Sequence, residues 1–195
     1  MSRFSCLEKL EITRCPQLGW IGDEPFSSGV KKIAIEYSEK LRSIPSLDGL
    51  SSLEKLSIVK CNELGWKGGN PPFSSNLKEI EVRECGKLCK IGEGLLASTS
   101  LTDVLIRGCD NLRSIPFNGG SKSLLRLRLL DCNELRDIGC ALSASTRLEI
   151  ERCPSCRRFQ GNKTELSKIP AAIHINICSL DDFLSLSGRN FPAVK

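Results

Sequence analysis

Histidine is nearly missing: His174 is the only one in 195 residues. Triads and metalloprotease sites that use histidine need it beside a nucleophile or a second ligand. Neither the G-x-x-x-x-G-K-[ST] phosphate loop nor G-x-G-x-x-G occurs, so the chain has no standard cradle for a nucleotide phosphate. No stretch approaches the ~18 apolar residues of a membrane span, and the opening MSRFSCLEKL lacks the apolar run of a signal peptide. The expected compartment is therefore the cytosol, with the nucleus as the alternative. There the lone sequon Asn162-Lys163-Thr164 carries no meaning. The net charge of +5 is modest and not gathered in one run, so composition does not suggest nucleic acid as a partner. These absences leave enzyme as the least supported class, and no cofactor or metal is expected.

What is present is a repeat. In LTDVLIRGCDNLRSI the apolar residues fall at Leu101, Val104, Ile106, Cys109, Leu112 and Ile115. The same slots recur as Leu7, Leu10, Ile12, Cys15, Leu18, Ile21; as Leu53, Leu56, Ile58, Cys61, Leu64; as Leu77, Ile80, Val82, Cys85, Leu88, Ile91; and as Leu124, Leu127, Leu129, Cys132, Leu135, Ile138. The period is about 23 residues, inside the ~20–29 range of leucine-rich repeats and well short of the ~33–34 of helical repeats. Numbering slots from the first leucine, slots 3 to 7 form a short strand. Alternation points slots 4 and 6 inward and slots 3, 5 and 7 outward. One such strand cannot bury its apolar face alone, but stacked coils can. The expected fold is an α/β leucine-rich-repeat solenoid. Its curved parallel sheet lines the concave side, with irregular loops and short helical turns on the convex side. One domain, 1–195, holds about eight repeats starting near 7, 30, 53, 77, 101, 124, 145 and 170, with 179–195 as a C-terminal cap.

Eleven cysteines would suggest a disulfide framework in a secreted chain. Here seven of them (Cys15, Cys61, Cys85, Cys109, Cys132, Cys153 and Cys178) fall in slot 9. Such regularity points to packing: a reduced thiol is a small buried hydrophobe with a weak donor, able to fill the turn after the strand near carbonyls of the next coil. Ser38 keeps that size and donor in the second repeat. Cys153-Pro154-Ser155-Cys156 is a C-x-x-C pair, but zinc wants a second pair or histidines at suitable spacing, and both cysteines occupy core slots. His174 falls in an outward slot and reads as a surface residue.

Other segments echo one another. Leu18-Gly19-Trp20 matches Leu64-Gly65-Trp66, and Pro25-Phe26-Ser27-Ser28 matches Pro72-Phe73-Ser74-Ser75, which are traces of duplication. The two tryptophans are expected to pack within these duplicated loops, with a ligand patch as the alternative. Return segments such as KGGNPPFSSN and PFNGGSKS are loop signals, while GEGLLASTS and GCALSASTR have room for one helical turn each. Only six residues precede the first repeat. An uncovered first coil would show apolar side chains and a strand edge, so the chain is expected to be part of something longer, or to start late.

Outward slots on neighbouring strands form columns about 4.8 Å apart. Slot 3 runs Lys9, Lys32, Lys55, then Glu79 and Asp103, then Arg126 and Arg147. Slot 5 holds Leu105 and Arg128; slot 7 holds Arg83, Arg107 and Leu130. Arginine among apolar groups is a frequent hot-spot composition at protein interfaces. The candidate site is therefore Arg83, Leu105, Arg107, Arg126, Arg128 and Leu130, facing a protein partner with an acidic, partly apolar surface.

The pattern L-x-x-L-x-I-x-x-C-x-x-L-x-x-I, with Leu53-Glu54-Lys55-Leu56-Ser57-Ile58-Val59-Lys60-Cys61 as its clearest copy, resembles the C-terminal repeats of plant intracellular immune receptors. These are the coiled-coil class of nucleotide-binding leucine-rich-repeat disease resistance proteins. The resemblance covers roughly residues 4 to 180. It implies a protein-recognition module in defence response, taking a pathogen effector, a guarded host protein or the receptor's own nucleotide-binding domain as partner. The family's nucleotide-binding motifs are absent here, so nucleotide binding does not carry over. F-box-type ubiquitin ligase adaptors also place cysteine in this slot and form the alternative, though they add a clear convex helix to each longer repeat. A purely structural repeat protein is the third class.

Overall fold

A computed structural model describes residues 6–22, 26–45, 47, 49–65, 76–91, 98–116, 123–139 and 146–156, together with the backbone of 158–159 and 176–177. Eleven strands follow in chain order: β1 Lys9–Thr13, β2 Lys32–Glu36, β3 Lys55–Val59, β4 Glu79–Arg83, β5 Asp103–Arg107, β6 Ser114–Pro116, β7 Arg126–Leu130, β8 Asp137–Gly139, β9 Arg147–Glu151, β10 Arg158–Phe159 and β11 Asn176–Ile177. Seven of them span slots 3 to 7 of their repeat. They join β11 in one parallel sheet, ordered β1-β2-β3-β4-β5-β7-β9-β11. The register matches slot to slot, as in Val104 with Leu127 and Ile106 with Leu129. A second, narrower sheet, β10-β8-β6, runs along slots 14 to 16.

The inward slots of successive coils stack into one continuous core cluster behind the eight-stranded sheet. Slots 1, 4, 6, 9, 12 and 15 of the central repeat, Leu101 to Ile115, are all fully buried. Each aliphatic side chain so enclosed contributes roughly 1.5–3 kcal/mol, which is why a five-residue strand with only two inward positions is stable in a stack. Leu47 and Leu50, outside the repeat slots, also fold into this core.

Slot 8 carries a feature of its own. Arg14, Tyr37, Lys60, Glu84, Asp131 and Arg152 all have φ between 51° and 57°, and Gly108 has φ 63°. This left-handed residue breaks the strand alternation, so slot 8 lies outside and slot 9 turns in. Stacking holds it there: from Arg14 to Asp131 the N–H of slot 8 donates to the slot 7 carbonyl of the next coil, Arg14 to Glu36 at 2.9 Å and Glu84 to Arg107 at 2.8 Å. A tight turn follows. Leu112 N–H donates to the Cys109 carbonyl at 3.0 Å, and the same bond recurs from Leu18 to Cys15 and from Cys156 to Cys153. Cys153-Pro154-Ser155-Cys156 is thus one such turn, with proline at the corner where its fixed φ fits.

The slot 9 column is a ladder of thiols. Cys61 Sγ lies 3.6 Å from the Val59 carbonyl of its own strand and 3.7 Å from the Ile35 carbonyl of the coil before. Cys85 lies 3.3 Å from the Arg83 carbonyl and Cys153 3.5 Å from that of Leu129, while Ser38 donates to the Glu36 carbonyl at 3.3 Å. The described cysteines are free thiols. Burial pushes Cys61 and Cys109 up to about 11 and raises Cys85 further. A hydrogen bond with Cys153, then burial, raises Cys132.

Two expectations need correction. No helix occurs among the described residues. The described returns close with single i→i+3 bonds, Leu50 N–H to the Leu47 carbonyl and Leu53 N–H to the Leu50 carbonyl, and Gly49 at φ 79° interrupts any helical run between them. The segments GEGLLASTS and GCALSASTR lie largely outside the described residues. The eighth coil also pairs differently: Ile177 sits opposite Ile150, where a repeat starting at 170 would place Ile175. His174, Cys178, the sequon and the cap at 179–195 are likewise outside the described residues.

Candidate functional site

Strands β4, β5 and β7 bring the six candidate residues together. Glu79, Asp103 and Arg126 stand side by side in slot 3; Glu81, Leu105 and Arg128 in slot 5; Arg83, Arg107 and Leu130 in slot 7. Parallel register makes each column a direct consequence of the repeat period. Leu105 and Leu130, expected as exposed leucines, are half-buried.

The arginines do not form an uncompensated basic patch. Arg126 Nη2 meets Asp103 Oδ2 at 2.7 Å, and Arg128 Nη2 lies 3.6 Å from Asp103 Oδ1. Arg107 Nε donates to Asp131 Oδ2 at 3.2 Å, and Asp131 also receives Arg152. Arg152, then Arg107, holds the Asp131 carboxyl below the usual carboxylate range. Arg83 Nε sits 2.8 Å from Glu81 Oε1 without the alignment of a hydrogen bond. All four arginines remain 39–60% exposed. Pairs this exposed are worth about 0–1 kcal/mol each, so an incoming carboxylate can exchange with them at little cost. Until then they keep the guanidinium groups fanned along the sheet. Asp103 stands in the slot 3 column beside Arg126 but outside the candidate set, and Asp131, in slot 8, lies outside the columns altogether. Asking which acids flank each arginine one coil away finds both.

Lysines dominate the other half of the face. Lys55 pairs with Glu79 across β3 and β4, and that hydrogen bond raises the lysine's pKa. Lys32 and Lys9 share Glu11. Lys60 lies 5.2 Å over the Tyr37 ring. Among the described residues no cluster of histidine, cysteine and carboxylates could hold a metal ion, and no helix is long and apolar enough to cross a membrane.

No family model and no curated protein matches the chain. Among solved structures it is similar to the leucine-rich repeat domain of the type III effector XopL, with a TM-score of 0.60 and 22% identity. The fold is that of a leucine-rich-repeat domain. The match covers 91% of this chain and 62% of the other, so the chain spans somewhat under two thirds of that domain's length.

Proposed function

We propose that this leucine-rich-repeat chain is a protein-recognition module whose outward sheet face at β4, β5 and β7 contacts the partner through Arg83, Leu105, Arg107, Arg126, Arg128 and Leu130. One observation carries the reading: Leu105 and Leu130 lie on adjacent strands with arginines beside them in register, each arginine next to a carboxylate of its own chain. Pre-oriented guanidinium groups lose less freedom on binding than loose ones. The partner surface is acidic and partly apolar. The cysteine-bearing repeat supports the finer reading, a ligand-sensing or autoinhibitory repeat region of a plant intracellular immune receptor acting in the cytoplasm. Its partner is then an effector, a guarded host protein or the receptor's own nucleotide-binding domain.

The test compares the parent with a variant carrying Leu105→Ala, Arg107→Gln and Arg128→Gln. Proteins captured from plant extract are identified by mass spectrometry, and both baits are checked for equal melting curves. A partner held by the parent and lost at least tenfold by the variant is the expected result. An identical set of captured proteins from two equally folded baits removes the sheet face from consideration. Recovery of ubiquitin ligase subunits in place of defence proteins would favour the adaptor class.

A further inference from the structure

Trp20 is 56% exposed, although the repeat gives no reason for an indole there. It occupies slot 14, where the third repeat carries Trp66 and other coils carry Ser43, Lys90, Ser114 and Asp137. Its bridge to Ser43 is made by backbone alone. The coil therefore closes equally well without an aromatic side chain. The expectation that Trp20 packs away in a duplicated loop does not hold.

Beside the indole is an open groove of about 830 Å³, lined by Gln17, Gly19, Trp20, Lys40, Arg42 and Glu63. Its existence traces to slot 13, which runs Gly19, Arg42, Gly65 along the stack. The three are stitched together by Arg42 N–H to the Gly19 carbonyl and Gly65 N–H to the Arg42 carbonyl, both 3.0 Å. The glycines leave Arg42 without side-chain neighbours in its column. The backbone does not demand them: a Cβ on Gly19 would come no closer than 3.9 Å to the Lys40 carbonyl, and later coils put Cys89, Arg113 and Arg136 in the same slot.

Charge selects the ligand. Glu63 is engaged by Lys87 at 2.6 Å. Lys40 reaches only the neutral amide of Gln17, at 2.7 Å. The Arg42 side chain is exposed and meets no carboxylate among the described residues. The groove thus offers one indole and two cations that no acid among the described residues offsets. A carboxylate-rich segment with one apolar side chain satisfies both features, since tryptophan and arginine are the commonest anchors at protein interfaces. A nucleic acid strand would need a basic track to follow its phosphates, yet the slot 11 row alternates in sign through Lys40, Glu63, Lys87 and Glu134.

We infer that this groove is a second recognition site, which takes an acidic segment of a protein partner by seating an apolar side chain on Trp20 and carboxylates on Arg42 and Lys40. It is separate from the sheet face, so either site can fail without the other. The test is fluorescence anisotropy with a labelled peptide of alternating Glu and Asp around one central Leu. Controls are the same peptide with Gly for Leu, its all-Lys counterpart, and labelled oligothymidylate. The Leu-bearing acidic peptide is expected to bind. Trp20→Ala, Arg42→Gln and Gly19→Gln should each weaken it at least tenfold. Gly19→Gln fills the groove at a slot that holds side chains in other coils, so its melting curve should match the parent's. Arg107→Gln with Arg128→Gln should leave binding unchanged. The inference is overturned if no acidic peptide binds at millimolar concentration. It is also overturned if the Gly peptide or the oligonucleotide binds as well, or if the sheet-face variant loses the peptide while the groove variants keep it.

Discussion

The first coil and the fifth repeat have the same apolar pattern and very different burial. In β5 both inward residues, Val104 and Ile106, are fully buried; in β1 their counterparts Leu10 and Ile12 are only half-buried. The backbone is the same in both, with slot 8 left-handed at φ 57° in Arg14 and 63° in Gly108. β5 has a strand on each side, while β1 has only β2. Local conformation thus follows from the repeat itself, and burial from the number of neighbours, as expected when each coil contacts only the next. This separation can be tested slot by slot.

The largest effect belongs to slot 4. Leu127→Asp places an unpaired charge where the side chain is fully buried, and should cost more than about 4 kcal/mol, enough to unfold the array. Leu10→Asp changes the same slot in the half-buried coil, and its carboxylate can turn to water. A cost of about 1–2 kcal/mol is expected there. Far-ultraviolet circular dichroism melts measure both. Equal losses would break the comparison, and a mild Leu127→Asp would mean that the strand phase is inverted.

Slot 9 sharpens it chemically. Cys15 is half-exposed, and Cys109 is buried with its pKa pushed up to about 11. A thiol reagent on the native protein should modify exposed Cys6 and Cys89 first and Cys15 next. Cys61, Cys85, Cys109, Cys132 and Cys153 should react only on unfolding. The raised pKa values also set a pH dependence. Between the ordinary thiol value of about 8.5 and the folded value, the unfolded chain has lost a proton that the folded chain keeps. The buried thiols therefore contribute stability that is fully present below about pH 8.5 and lost as pH rises toward 11. Cys109→Ser should flatten part of that alkaline decline.

Slot 8 is the place where the two coils should agree. Gly108→Ala forces a Cβ into left-handed backbone and to 3.4 Å from Glu84 Cγ, costing about 1–2 kcal/mol. Arg14→Gly relieves the same strain in the first coil. The gain is about 1 kcal/mol before the entropy of the added glycine in the unfolded chain offsets part of it. Urea melts would read both.

How much of this was legible in advance depends on the range of the interaction. Strand bounds such as Asp103–Arg107 follow from alternation within a 23-residue period, because inward residues have no alternative partner. The register of Arg107 beside Leu130 follows from the same count. The left-handed slot 8 was hidden, since arginine, tyrosine, lysine and glutamate give no signal for it. Only hydrogen bonds to the next coil impose it. Asp131 is hidden because slot 8 lies outside the alternating columns and its pair with Arg107 spans two coils, whereas Glu81 meets Arg83 within one strand. The offset of Ile177 opposite Ile150 depends on the length of a return segment that carries no slot pattern. Trp20 is exposed although its loop is duplicated, because slot 14 accommodates serine, lysine or aspartate as well as tryptophan.

The smallest effect concerns Asp131, where Arg107 of the candidate site and Arg152 of the last described coil converge. Its carboxyl titrates below the ordinary range, first because Arg152 hydrogen-bonds it and then because both guanidinium charges favour the ionised form. A folded pKa below the unfolded one means that the unfolded chain takes up the proton first as pH falls. The pair therefore contributes its stability above the unfolded value of about 3.9, and loses it as pH drops through the folded value. Both arginines are more than half exposed, so screening limits the whole contribution to about 1 kcal/mol. Asp131→Asn should lower the melting temperature slightly at pH 7 and in low salt. The gap to the parent should close in molar salt and as pH falls through the folded value. Lys32–Glu11, at 3.5 Å in the first coils, is the matching exposed pair, and Glu11→Gln should show a gap no larger. If Asp131→Asn instead cost several kcal/mol independent of salt, Asp131 would be a buried anchor of the stack. Arg107 would then be held too firmly to exchange its partner for one on another protein.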